Sequence, residues 1–122
     1  MDKLASVLAI DGVLEAEALL ASRDWQPLRP GVAISYIYRT GSKGPSAAFL
    51  HYQAGASVPY HKHSDFEHIL ILHGSQSDGT ALYGKGCLVI NPPDSQHQIH
   101  SSEGCIALAI WMKPVVFLGA PE

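Results

Sequence analysis

Basic residues are scarce in this 122-residue chain: eight Lys and Arg stand against eleven Asp and Glu, for a net charge of −3, with no basic cluster anywhere. That deficit argues against nucleic acid or an anionic membrane as a partner, because both select for clustered positive charge. Cysteine is rarer still. Cys87 and Cys105 each sit inside an apolar run, so buried reduced thiols are expected rather than a disulfide. No apolar stretch approaches the roughly 20 residues of a membrane-spanning helix. The first apolar run, LASVLAI, is too short for a signal-peptide core and follows Asp2 rather than basic residues. A soluble, cytoplasmic protein is the expectation. Charged residues of both signs reach only 16% while hydrophobic residues reach 47%, which excludes a disordered chain and fits one domain with its own core.

What is present is a string of short strands. LEAEALLAS, residues 14–22, is the one stretch rich in helix formers, and it lacks clear caps. From Trp25 onward, β-favouring runs alternate with Gly, Pro, Ser and Asn: VAISYIYR, AAFLHYQ, EHILILH, CLVI, HQIH and CIALAIWM. This punctuation predicts an all-β sandwich or barrel. No repeat or linker divides the chain, so the expected organisation is an N-terminal extension over 1–24 and one β-domain over 25–118. EHILILH and CIALAIWM are apolar on both faces, where a strand wetted on one side should alternate. Something must cover them, either the N-terminal segment or a second copy of the chain, and a homodimer is expected.

HKHSDFE, residues 61–67, carries the chemistry. In an extended strand, residues two apart point the same way with Cα atoms roughly 6.6 Å apart. His61 and His63 can therefore aim at one point while Lys62 faces away. Ser64, Asp65 and Phe66 form a bend that can return the Glu67 carboxylate beside them. Imidazole and carboxylate together suit a divalent ion such as Fe, Zn, Ni, Mn or Cu. The alternative is a polar strand end with no ion. His68 faces away from Glu67, His73 lies too far along its strand, and His51 has no partner in its own segment. His97 and His100 face opposite ways in a strand, so only one can serve. His97 follows the stiff turn NPPDSQ and is the best fourth ligand.

These residues also form two motifs. Gly55, His61, His63, Glu67 and Gly74 fit G-x5-H-x-H-x3-E-x6-G without a gap. Gly86, Pro92 and His97 fit G-x5-P-x-G-x2-H-x3-N, with Asp94 in place of the glycine and Ser101 in place of the asparagine. The pair resembles the cupin superfamily over about residues 25–118. The stretch SDGTALYGKGCLVINPPDSQH, followed by EGC, is similar to the cupin domain of ChrR-type anti-sigma factors and to dihydroxyacetophenone dioxygenase-like and acetylacetone-cleaving single-domain cupins. That resemblance implies a single-domain jelly-roll β-barrel, dimerised, with His61, His63, Glu67 and His97 binding one divalent transition ion (Fe, Zn, Ni or Mn). The alternative is a barrel that keeps the four residues as a hydrogen-bonded cluster without an ion.

Three functions follow: a metal-dependent enzyme such as a dioxygenase, acting on a diketone, phenol or similar chelating small molecule; a sensor or binding module; or a barrel with a purely structural metal. The sensor reading meets one obstacle. Only 30 residues precede Gly31, with no His or Cys among them, so the N-terminal zinc domain of a ChrR-type anti-sigma factor is not expected here. No separate acid or base stands out. Tyr52, Tyr60 and Asp94 lie near the motifs and are candidates for touching a ligand, whereas Tyr36, Tyr38, Trp111 and Met112 are expected in the core or an interface.

Overall fold

The computed structural model describes residues 6–118. The β-favouring runs fold as strands, preceded by one helix, α1 (Ala16–Ser22). The ten strands among the described residues are β1 (Gln26–Arg29), β2 (Val32–Arg39), β3 (Ser46–Tyr52), β4 (Ala56–His63), β5 (Glu67–Ser77), β6 (Leu82–Gly84), β7 (Leu88–Asn91), β8 (Gln96–Ser101), β9 (Cys105–Trp111) and β10 (Val115–Phe117). All pairings are antiparallel, and the strand order is β1-β2-β3-β9-β5-β8-β4-β10, with β6 and β7 also pairing β5. The sheet curls on itself as the expected all-β barrel. No helix among the described residues is long and apolar enough to cross a membrane.

The long β5 strand joins the two sides of the barrel. Its first part pairs β7 and β9, its last three residues pair β6, and Ser77 reaches His100 of β8. Gly74 makes the bend possible. Its φ is 74°, and a Cβ there would collide with the Gly104 carbonyl oxygen, so no other residue fits.

The β2-β3-β9-β5 face is packed on both sides. Inside lie Val32, Ile34, Ala48, Leu50, Ile69, Ile71, Ala107 and Ala109. Outside, Phe49, Leu72 and Ile106 pack against Leu19 of α1, with Ile10, Val13 and Leu20 around them. The N-terminal segment is thus what covers the doubly apolar strands. Polar contacts pin it: the Arg23 guanidinium donates to Ser35 Oγ and the Tyr36 carbonyl, both at 2.9 Å, and Trp25 Nε1 donates to the Leu20 carbonyl at 3.0 Å. Because α1 is only two turns long and has no side-chain N-cap, its stability comes from this packing rather than from its own backbone.

The two departures from the second motif have physical explanations. Asp94 adopts φ 71°, the left-handed conformation that glycine takes most easily and Asp or Asn tolerate best. Ser101 is fully buried, and its hydroxyl donates to the Ser75 carbonyl at 2.6 Å, tying β8 to β5.

Leu19→Ala should lower stability by about 2–5 kcal/mol, the usual cost of emptying a buried leucine site. Chemical denaturation checks this; an unchanged midpoint would show that α1 does not seal the sheet.

Candidate metal centre

A backbone irregularity sets the orientation of the first two histidines. Ala56 and Val58 face the barrel interior, and strict alternation would turn residue 61 outward. The register between β4 and β8 shifts instead between Val58 and His61: Val58 pairs Ile99, and His61 pairs His97. Pro59 and Tyr60 take up the extra residue as a bulge, a position suited to proline, which has no N–H for the ladder. His61 and His63 are thereby turned inward, and Tyr60 is left outside.

His97 lies across from His61, with ring centroids 4.7 Å apart; His63 is 5.1 Å from His61 and 4.6 Å from His97. The ligand atoms of these three residues all lie within 4.8 Å of one another. Glu67 reaches the cluster through His63, whose Nε2 is 2.9 Å from Glu67 Oε1. His100 points away, with its ring nitrogen 2.9 Å from Ser57 Oγ at the surface. Elsewhere, His73 lies 3.3 Å from the Val13 carbonyl, His51 packs edge-on against Trp25, and His68 stacks on Phe66. Lys62 faces the exposed Asp94 at 3.7 Å.

Hydrogen bonds decide which ring nitrogens bear protons. His61 Nδ1 is 2.8 Å from the Pro59 carbonyl, supplied by the bulge itself. His63 Nδ1 is 3.1 Å from the Ser95 carbonyl and 2.9 Å from Ser95 Oγ, whose own proton goes to the Pro92 carbonyl at 2.6 Å. Each Nδ1 therefore donates, which in the neutral ring leaves Nε2 with the lone pair. His63 Nε2 is fully enclosed and has no hydrogen-bond partner. It faces the Glu67 carboxylate at ion-pair distance; in the neutral ring this sets lone pair against lone pair, which a cation there, a proton or a metal ion, relieves. The donor set fits a divalent transition ion.

Electrostatics keeps the set ready. Glu67 is buried, and burial alone would raise its pKa. Contacts with His63, Trp111 and His61 outweigh this and hold it below the usual carboxylate value. Asn91 Nδ2 donates to Oε1 at 2.9 Å, and Trp111 Nε1 donates to Oε2. Burial, then the neighbouring His61 and His63, pushes His97 down to about 4, and burial also lowers His61. At neutral pH His61 and His97 are thereby kept as neutral imidazoles and Glu67 as a carboxylate.

His61, Glu67 and His97 open onto a cavity of about 80 Å³. Since one water needs about 10–15 Å³, this holds several waters or one small molecule. Its walls include Leu50, Val58, Ile69, Val89, Ile99 and Phe117. Tyr52 lines it, and burial, then Glu67, raises the phenol's pKa, so it stays protonated. Tyr60 and Asp94 are exposed and point elsewhere.

Asn91, Ser95 and Gln76 escaped the sequence reading; Trp111 packs against the core as expected, and its further role as a donor on Glu67 was also missed. Asn91 and Trp111 lie directly opposite Glu67 on the two strands flanking β5. Only the strand pairing could have exposed that relation.

Residues 15–115 match the model of the ChrR cupin-like domain family. Among solved structures, a chain of Rhodobacter sphaeroides SigE in complex with the anti-sigma ChrR matches at 30% identity and TM-score 0.66, covering 75% of this chain. The match takes in 50% of that chain, so this protein spans about half its length. An acetylacetone dioxygenase from Acinetobacter johnsonii aligns at 11% identity and TM-score 0.75, over 98% of this chain and 83% of that one. An RmlC-like cupin from Ralstonia eutropha aligns at 20% identity and TM-score 0.72, over 81% and 69%. At such low identities these last two likenesses show the fold. No curated protein matches the chain by sequence.

The depressed pKa of His97 couples stability to pH. With a folded pKa of about 4 against the ordinary 6.5, the folded state binds fewer protons than the unfolded chain between those values. Stability of chelator-treated protein should therefore fall as pH drops from about 6.5 to about 4, with the loss complete below. Thermal melts across that range check this, and His97→Gln should flatten the decline.

Proposed function

We propose, on the premise that this chain belongs to the ChrR cupin-like family, that it is a metal-dependent cupin acting on a small chelating molecule, with His61, His63, Glu67 and His97 as ligands of one divalent transition ion. The observation that carries the reading is the convergence of His61, His63 and His97, with the enclosed His63 Nε2 facing the Glu67 carboxylate. Iron, zinc, nickel and manganese all suit this donor set. When bound, such an ion supplies Lewis acidity and, if iron or manganese, redox access to dioxygen.

The chain's own residues do the rest. The Pro59 and Ser95 carbonyls fix the tautomers of His61 and His63, and Asn91 and Trp111 hold Glu67 in place. The aliphatic walls lower the local dielectric, which strengthens electrostatic interactions inside. Among the described residues lining the cavity, Glu67 is the one carboxylate, and it is already engaged. The site therefore favours a substrate that is itself acidic, such as an enolisable 1,3-diketone or a catechol. In a dioxygenation of such a molecule both atoms of one dioxygen enter the products, so no external reductant is required.

A sensor reading is favoured by one observation, the 30% identity to a chain of the SigE–ChrR complex. It calls for ligand binding at the same centre without turnover. Protein purified without chelator should hold close to one metal per chain, and His97→Ala should lose most of it while His100→Ala keeps it. Elemental analysis decides this, and undiminished metal in His97→Ala would overturn the ligand set. Dioxygen uptake with 1,3-diketones and catechols then separates enzyme from sensor: uptake above the metal-only blank supports the enzyme, and saturable binding without uptake supports the sensor.

Pairing of two copies belongs to the same proposal. The outer side of β7 leaves Leu88 60% and Ile90 44% exposed, apolar surface of the kind subunits bury. Sedimentation equilibrium should give a dimer that Leu88→Lys dissociates; a monomeric wild type would remove this part.

A further inference from the structure

The cavity has a second polar end. Tyr52 and Gln76 are each only 4% exposed, and both line it. Tyr52 lies opposite Cys105, which lies opposite Gly74, two residues before Gln76. Both side chains thus rise from one end of the β3-β9-β5 face, while Glu67 stands at the other end of β5. Neither the Tyr52 hydroxyl nor the Gln76 carboxamide has a hydrogen-bond partner among the described residues. Neither is sealed in as His63 Nε2 is, so their polar atoms adjoin the cavity itself.

A hydroxyl or amide withdrawn from water carries a desolvation cost unless something bonds it. Leu or Phe would fill these positions without that cost, as Leu50, Ile69 and Ile99 do beside them. The partner is therefore an occupant of the cavity. Charge narrows its class: among the described residues lining the cavity there is no Lys or Arg. Arg29 stands behind the wall over Phe117, but Glu67 acts on Tyr52 more strongly than Arg29 does, so a carboxylate or phosphate at this end is disfavoured. Tyr52 donates, while Gln76 both donates and accepts, which matches a hydroxyl or a carbonyl on a neutral molecule.

We propose that Tyr52 and Gln76 are specificity-determining residues that bind a neutral hydroxyl or carbonyl on a small oxygenated ligand, at its end remote from His61 and His97. This rests on the reading that the imidazole end takes the ligand's chelating oxygens. The ligand class is thereby narrowed to polyoxygenated molecules: a chelating pair at one end and one further neutral oxygen at the other.

Calorimetric titration of metal-loaded wild type, Gln76→Leu and Tyr52→Phe with catechol and with 1,2,4-benzenetriol tests this. Wild type should prefer the triol by roughly tenfold, one net hydrogen bond in affinity, and Gln76→Leu should abolish most of the preference. Tyr52→Phe should reduce it. Both variants should keep wild-type metal content, and after chelator treatment both should melt no lower than wild type, because each removes an unpartnered polar group. Equal affinity for the two probes in wild type, no binding of either, an unchanged preference in both variants, or a lower-melting Gln76→Leu would overturn the assignment. Metal content measured on the same samples reports on the metal reading separately.

Discussion

A carboxylate has been taken from water into the interior of a barrel, and much of the surrounding structure answers to it. Glu67 stands at the first position of β5, the strand on which both sides of the sheet depend. A buried ionised group survives only if hydrogen bonds and charges replace its hydration. Asn91 and Trp111 supply the hydrogen bonds from the strands on either side. His63 brings its Nε2 to it, because the Ser95 turn engages Nδ1 and so fixes the ring. The tight NPPDSQ turn is therefore part of the centre: it docks on His63 through backbone and side chain alike.

The fold was legible from the punctuation of strands by Gly, Pro and Asn, and the doubly apolar pattern of β5 and β9 correctly announced a cover. It could not say which cover, since a packed helix and a second subunit leave the same signature in one sequence. The helix was visible as composition, but its role was not, because Leu19 reveals its partners only once Phe49, Leu72 and Ile106 lie on one outer face.

At the site, the two-residue period brought His61 and His63 to one side for a partly accidental reason. That reading assumed a straight strand, whereas the inward direction of both rings depends on the bulge at Pro59 and Tyr60. Relative parity within HKH survives a bulge placed before it; absolute direction does not. Supporting residues were harder still. Asn91 and Trp111 are 24 and 44 positions from Glu67 in the chain and become neighbours only through register. Asp94 shows the reverse case: the residue looked like a defect in a motif, yet its backbone takes the conformation the motif's glycine would supply.

The cover on the outer face has a consequence in time. During synthesis α1 leaves the ribosome well before β9, so Leu19 waits for Ile106 to exist. At roughly 5–20 residues per second this interval lasts several seconds. For that period the helix has no surface to bury against, and a seven-residue helix is not stable alone in water. The segment must remain unstructured and unclaimed while strands from distant parts of the chain find each other, a slow process for non-local pairing. The first described element of the chain is thus among the last to be fixed.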